Sequence, residues 1–412
     1  MPRALAVVAI RPGVLFALLA LASFFEAFDF VLVGLAAPRV AEQAGVGPQA
    51  LQRALAFIAT GAVLGIVPLR LADHLGRRPV LLVSLAGHGL LCLVAAASDS
   101  FVVFSLAHFV ARMLMVTQLA LAYLMLCECV PPAQRGRWAG ALGAIASLGI
   151  AAPALLQPLV AEIGYGVRTL EFAGAAVVLL LPLYVALVPE TPAFRRSRDA
   201  CAASGAVSLL GLLAAAQRRR FAALALLWFT VEFWTAATMG SLLPWVVGER
   251  GWSAAQVTRL LAAGVVFHFL GHLIAGLSMD RVGRRGTLAL FLGLASGGAS
   301  ACFLAHDARA IVAGYFTMAA AGGLWSIAQT IGAELFPTDL RAGAHGLAHE
   351  GIGRLGASLA PIGVGGLALL VGSTASAVAW LALANLLALP LLLWALPETR
   401  AVRLDLPGAE MG

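Results

Sequence analysis

The sequence predicts an all-α membrane protein whose twelve transmembrane helices form two six-helix pseudo-repeats. Three observations predict it. The 412-residue chain is 61% hydrophobic and 11% charged, with a mean hydropathy of +0.94, which leaves too little polar surface for a water-soluble domain. Its apolar runs recur at about twenty residues, the length a helix needs to cross a bilayer, where a barrel would show short alternating segments. A single offset also relates four landmarks of the first half to four of the second.

The N-terminal MPRALAVVAIRPG is short and basic and leads into an apolar segment long enough to span, with no evident A-x-A cleavage site at its end. A first transmembrane helix is expected there, not a cleaved signal. Taking apolar runs as spans and Arg, Pro and Gly clusters as breaks places helices near 13–37, 51–69, 79–97, 101–127, 138–161 and 170–188. Six more fall near 221–247, 255–277, 286–305, 309–333, 343–370 and 374–396. The connection PETPAFRRSRDACAASGAVSLLGLLAAAQRRR is the longest and the most charged. It divides the chain into a first half (1–190), a cytoplasmic central loop (191–220), a second half (221–400) and a cytoplasmic tail (401–412).

The net charge of +7 comes from 27 basic residues, none of them lysine. All but two, Arg112 and Arg354 within spans, lie in loops and tails, which argues for membrane orientation and against nucleic-acid binding. With the N-terminus inside, nineteen arginines, from Arg3 and Arg11 through Arg400 and Arg403, fall on the inner side. Six, Arg39, Arg53, Arg168, Arg250, Arg259 and Arg309, fall outside. Both termini are therefore expected in the cytoplasm, with the chain in a cell (inner) membrane. The cysteines Cys92, Cys127, Cys129, Cys201 and Cys302 form no CxxC pair or loop framework and read as small apolar residues.

The repeat is read from Asp73 and Asp280 (207 apart), Glu128 and Glu334 (206), Arg135 and Arg341 (206), and Glu190 and Glu398 (208). Six helices recurring in parallel orientation is an arrangement that transporters use to build a central cavity between two rocking halves.

Over essentially its whole length the chain resembles the major facilitator superfamily of secondary transporters. The resemblance is carried by GLSMDRVGRR (276–285) with its partner LRLADHLGRR (69–78), by CECVPPAQRG (127–136) with AELFPTDLRA (333–342), and by the two PET exits. It implies gating roles for Asp73, Gly76, Arg77, Arg78, Gly276, Asp280, Gly283, Arg284, Arg285, Glu128, Arg135, Glu334 and Arg341. A carboxylate and a guanidinium fork at helix ends can form a charge-assisted latch made in one state and broken in the other. The first copy has Leu69 where the family has Gly, and His74 where it has a base. Because Gly lets two helices approach closely, Leu69 puts tight closure on that side in question, and the sequence does not say which way it falls.

EAFDFVLVGLAAP (26–38) is similar to the first-helix signature of the aromatic acid and metabolite proton symporters, with Glu26, Phe28, Asp29, Gly34 and Pro38 in register. ELFPTDLRAGAHGLAHEGIGRLGASLAP (334–361) resembles the same group's eleventh-helix pattern.

Glu26 and Asp29 are three residues apart and are therefore expected to share one helix face. A charged Asp at mid-bilayer costs about 2.5–3.5 kcal/mol by insertion scales, tolerated where it borders a polar cavity or a partner charge. Both acids are expected to face a water-filled cavity and serve proton coupling, or else to fix helix packing by hydrogen bonds. Glu232 stands one repeat offset (206) from Glu26 and joins them as a proton-coupling candidate. Arg112 matches the family's fourth-helix arginine, implying coupling, or it pairs statically with Glu26 or Asp29. Arg354 has the planar fork that captures carboxylates. It either binds an anionic substrate or closes the cytoplasmic end with an acid such as Glu350, four residues away.

Trp234, Trp245, Trp325 and Tyr123 are candidates to stack on a substrate ring, Trp234 and Trp325 foremost, with Gln118, Gln329 and Asn385 as possible cavity hydrogen bonders. The pairs His268/His272 and His345/His349 have a spacing that can ligate zinc, but neither sits in an HExxH frame, so no metal is expected there.

The expected activity is proton-coupled uptake of a small organic acid by alternating access. The proton gradient drives it without a cofactor, and the chain acts as a monomer in the lipid bilayer. Drug efflux or sugar uptake on the same fold, and a receptor that moves nothing, are the alternatives. With no nucleophile elbow, HExxH or phosphate loop, the chain is not expected to be an enzyme.

Overall fold

A computed structural model describes residues 11–163, 166–201, 209–400 and 402–404. Arg3, residues 202–208 of the central connection and most of the 401–412 tail lie outside them, as does the side chain of Cys201. Among the described residues twelve helices are long and apolar enough to span a membrane. In the first half they are α1 (Pro12–Gln43), α2 (Pro48–Leu75), α3 (Arg77–Ala97), α4 (Phe101–Cys129), α5 (Pro132–Glu162) and α6 (Val167–Leu187). In the second they are α7 (Gln217–Glu249), α8 (Ala254–Arg281), α9 (Arg284–Leu304), α10 (Ala308–Glu334), α11 (Thr338–Val371) and α12 (Thr374–Ala395).

Each expected span is present, and the ends run on. α2 continues to Leu75 because its motif residues remain helical beyond the apolar stretch. The central connection is helical at its start, over Pro192–Cys201, and carries a 3₁₀ turn over Leu209–Leu213.

The apolar cores divide as the repeat does. One cluster gathers second-half residues around Trp228, Phe291 and Ile327. Two others lie almost entirely in the first half, around Leu121 and Met125 and around Leu32 and Phe104. Large apolar side chains such as Leu179, Leu369 and Leu370 are more than three-quarters exposed, as suits a lipid-facing perimeter.

Small residues set where the halves touch. A Cβ at Gly140 would lie 2.7 Å from Cα of Gly276, and one at Gly136 would lie 2.6 Å from the Gly276 carbonyl oxygen. α5 and α8 therefore pack backbone to backbone. The 66–75 end of α2 likewise packs on the start of α11, whereas the opposite parts of these two helices, 48–60 and 354–371, do not pair to any comparable extent. The halves are thus joined at the end of the bundle that carries the chain's start and finish, and part toward the other.

Two departures from α geometry bear on function. α2 tightens to 3₁₀ over Gly61–Gly65, where a Cβ at Gly61 would sit 2.1 Å from the Phe109 carbonyl oxygen of α4. α11 widens to a π-helix over Leu347–Gly353, immediately before Arg354, a distortion found frequently at functional sites.

Candidate functional site

The residues expected to gate come together at the joined end in one two-fold-related set of contacts. Asp73 accepts the backbone N–H groups of Ala342 (3.0 Å) and Gly343 (2.8 Å) of α11. Asp280 accepts those of Gly136 (2.8 Å) and Arg137 (2.9 Å) in the first turn of α5. Each half's carboxylate thus holds main-chain donors of the other half, and Asp280 meets the positive end of the α5 dipole.

Behind these contacts lie two carboxylate hubs. Glu128 takes Arg341 across the interface (2.5 Å), Arg77 from its own half (3.4 Å) and the Thr191 hydroxyl (2.5 Å). Glu334 takes Arg135 across the interface (3.6 Å), Arg284 (2.7 Å) and the Thr399 hydroxyl (2.5 Å). All these carboxylates and most of the guanidiniums are buried, so each hub needs its full set of partners.

The PET exits supply what the loop motif needs. Glu190 accepts the N–H groups of Arg77 (3.1 Å) and Arg78 (3.2 Å), and Glu398 those of Arg284 (2.9 Å) and Arg285 (3.1 Å). The first turns of α3 and α9 are thereby capped. Burial pushes the Glu190 carboxyl above its ordinary range, against the pull of its backbone donors. Gly76 and Gly283 precede these turns at φ 110° and 96°, and a Cβ there would meet the capping carboxylate at 2.2 and 2.5 Å. Only glycine fits both constraints.

Leu69 sits within a closed contact. Leu69 is fully buried and faces Gly346 of α11, where a Cβ would lie 2.8 Å from the Leu69 Cδ1 atom. In the second copy the motif helix and its partner both carry glycine. In the first, the partner helix alone supplies it, and the leucine fills the space. His74 is exposed and plays no part in the contact.

Further into the bilayer a second cross-half link forms. The Tyr123 hydroxyl of α4 and the Ser326 hydroxyl of α10 are 3.2 Å apart, and His272 Nδ1 lies 2.7 Å from the same Ser326 oxygen. Tyr123 and His272 are thus joined by a hydrogen-bond bridge.

About 21–24 Å from the joined end by helix rise, the intramembrane charges converge between the halves. Arg354 donates from Nε to Glu350 (3.0 Å) and lies 3.3 Å from Glu232 through Nη1. His349 bridges the same two acids, Nε2 to Glu232 at 3.0 Å and Nδ1 to Glu350 at 2.8 Å. The π segment sets His349 and Glu350 beside Arg354, so three neighbours in sequence share one network with Glu232 of α7. Trp228 stacks on His349 at 3.7 Å, and Trp325 meets both rings edge-on at 5.3 Å.

Arg354 keeps a quarter of its side chain exposed. Across from it, the Arg112 guanidinium lies over the half-exposed Phe30 ring at 4.3 Å and has one terminal nitrogen without a hydrogen-bond partner. Arg112 and Arg354 come from opposite halves; Arg112 feels the charge of Arg354, and both feel those of Glu26 and Glu350. Among the described residues Glu26 makes no ion pair within 4.0 Å, and Arg112 makes none. The static pairing of Arg112 is therefore not seen.

Three sequence expectations are corrected. Asp29 is fully buried inside the first half, with His88 Nε2 at 3.5 Å and His108 Nδ1 at 3.8 Å, so only Glu26 looks toward the other half. Three residues are 300° of helix turn, and the remaining 60° places the two acids on different sides of α1. Trp234 donates from Nε1 to the Ala295 carbonyl (3.2 Å) in the second-half core, two residues and about 200° of turn from Glu232. Trp245 packs on Phe303 in that same core.

Gln329 is buried with neither amide atom partnered. Gln118 donates to the Ala22 carbonyl (3.2 Å) and Asn385 to that of Thr230 (3.5 Å). Sequence reasoning missed Trp228 and the capping role of the PET glutamates. The common 208-residue offset of Glu190 and Glu398 was the available signal for the latter.

A family model described as Major Facilitator Superfamily matches residues 19–361 and 230–411. The chain is 27% identical over 325 residues to the cis,cis-muconate transport protein of Acinetobacter baylyi, covering 76% of each chain. It is 28% identical over 394 residues to the gallate transporter of Pseudomonas putida, covering 84% of this chain and 83% of that one. Among solved structures it matches the proton:xylose symporter XylE with a TM-score of 0.77 at 15% identity, over 96% of this chain and 98% of that one, a likeness of fold.

Proposed function

Because this chain belongs to the major facilitator superfamily, a family of multi-pass membrane transporters, we propose that it carries a small organic carboxylate together with a proton by alternating access. One observation supports this reading above the others: two guanidiniums from opposite halves, Arg112 and Arg354, lie near enough for their charges to interact, and both act on Glu26, which makes no ion pair within 4.0 Å among the described residues. A substrate carboxylate bridging them would gain charge-assisted hydrogen bonds from both halves at once. The organic acids named for the muconate and gallate transporters fit the same chemistry.

Glu26 is the coupling group in this reading. Ionised, it screens the arginine pair; protonated from the outside, it leaves the pair to the substrate anion. Proton and carboxylate then add no net charge to the site, so a monocarboxylate would move with one proton and without current. Glu232, His349 and Glu350 hold Arg354 in place, Trp325 offers a ring face to an aromatic substrate, and Gln329 offers free amide groups. With both termini in the cytoplasm of a cell (inner) membrane, the latched conformation opens outward. Rocking would break the Asp73 and Asp280 contacts and admit substrate to the inside.

The test is uptake of radiolabelled aromatic and small aliphatic carboxylates into proteoliposomes, with and without an acid exterior. The wild type should accumulate substrate only with the gradient. Glu26→Gln should lose gradient-driven accumulation yet retain substrate exchange down a labelled concentration gradient. Accumulation by the variant equal to wild type would remove Glu26 from the coupling step.

A further inference from the structure

We propose that Asp29, His88, Cys92 and His108 form a binding site for a zinc-class divalent cation inside the first half. Nothing in the transport reading uses this cluster. Asp29 comes from α1, His88 and Cys92 from α3 and His108 from α4, and all four are buried. His88 and Cys92 are four residues apart, so both project from one face of α3.

The ligand atoms converge. His88 Nε2 and His108 Nδ1 lie 3.5 and 3.8 Å from the same Asp29 oxygen. One atom each from Asp29, His88 and Cys92 all fall within 4.8 Å of one another. Ligands bound at zinc distances in a tetrahedron are separated by about 3.3–3.8 Å, so small side-chain rotations close the set around an ion. Mixed imidazole, thiolate and carboxylate donors suit zinc and its neighbours better than calcium or magnesium.

Charge balance points the same way. Both Asp29 oxygens, all four ring nitrogens of His88 and His108 and both oxygens of the adjoining Glu171 of α6 have no hydrogen-bond partner. Among the described residues no arginine pairs with either acid within 4.0 Å; Arg168 is engaged by Asp99 at 2.8 Å. So many unsatisfied buried polar atoms in one place are rare in a native interior. A divalent ion would satisfy the facing ones together, neutralise Asp29 and a Cys92 thiolate, and pin α1, α3 and α4 within one half.

The experiment uses the full-length protein in detergent with any affinity tag removed. It is stripped with chelator, loaded with Zn²⁺ or Co²⁺, desalted and assayed for metal by mass spectrometry. One ion per chain is expected, with a thiolate-to-cobalt charge-transfer band in the Co²⁺ form. Cys92→Ala should abolish that band and weaken binding at least tenfold, and His88→Gln should lose the ion. His306→Gln, at an exposed position, should change neither. Gel filtration confirms that each variant is folded, and the band in Cys92→Ala decides the matter if His88→Gln does not fold. Equal metal in wild type and both site variants, or no metal above background in folded wild type, would overturn the proposal. The second result would assign the balancing charge to protonated imidazoles instead.

Discussion

Arg354 carries two loads, and substitutions can separate them. Arg354→Lys keeps a positive charge for Glu232 and Glu350 but loses the fork, so it should fold normally. Its KM for a carboxylate should rise roughly tenfold to a hundredfold, the worth of about 1.5–3 kcal/mol in a hydrogen bond to a charged group. Arg354→Ala leaves two buried acids facing His349 alone and should lose about 3–5 kcal/mol of stability, read as a lower melting temperature of the purified protein. A normal KM in the lysine variant would assign Arg354 to holding the helices and not the substrate. The pairing of Arg354 with Glu350 was legible in the sequence because it follows from helix spacing. The sharing of both by Glu232 and His349 was not, since it depends on the π segment and on the docking of α7. Asp29 was misplaced for a related reason: sixty degrees on one helix is invisible until its neighbours are known.

At the scale of the element, the contact between α2 and α11 makes a quantitative claim about the altered motif. If Leu69 closes the joined end by filling the notch at Gly346, then Leu69→Gly leaves a void and Gly346→Leu a clash. Each alone should shift the protein out of the latched conformation, and the exchange of both residues should recover part of the loss. A double-mutant cycle on the fraction latched, measured by spin-label distances across the α2–α11 contact, should show a coupling of about 1–3 kcal/mol. Additive effects would mean that the two residues are not packed against each other. The spans, the repeat and the motif loops could all be read from apolar run length and from offset. The leucine could not be judged, because the sequence of α2 says nothing about which residue α11 presents to it.

For the whole molecule, the two-fold relation between the latch sites predicts that they act alike. Asp73→Asn and Asp280→Asn each exchange a charged acceptor for a neutral amide, and each should weaken the latched conformation by about 1–2 kcal/mol. Lying in separate contacts, they should add within about 0.5 kcal/mol when combined. The readout is the rate at which a cysteine placed at the joined end reacts with a membrane-impermeant thiol reagent from that side. It should rise with each substitution and most in the pair. A large effect from one site and none from the other would show that a single motif copy carries closure.

Across the interface Asp73 holds peptide groups, and Asp280 holds peptide groups together with the half-exposed Arg137 side chain, whose Nε lies at 3.3 Å. A grip on the peptide cannot tell one amino acid from another, so position 137, where the half-exposed side chain adds only an ion pair worth about 0–1 kcal/mol, can drift over evolutionary time without a compensating change at Asp280. Proline alone is barred, since it offers no N–H. Arg137→Pro, in a first helical turn that otherwise tolerates proline, should therefore disable closure where Arg137→Ala does not. Homologues with intact aspartates should show a wide choice of residues at this position, with that one omission.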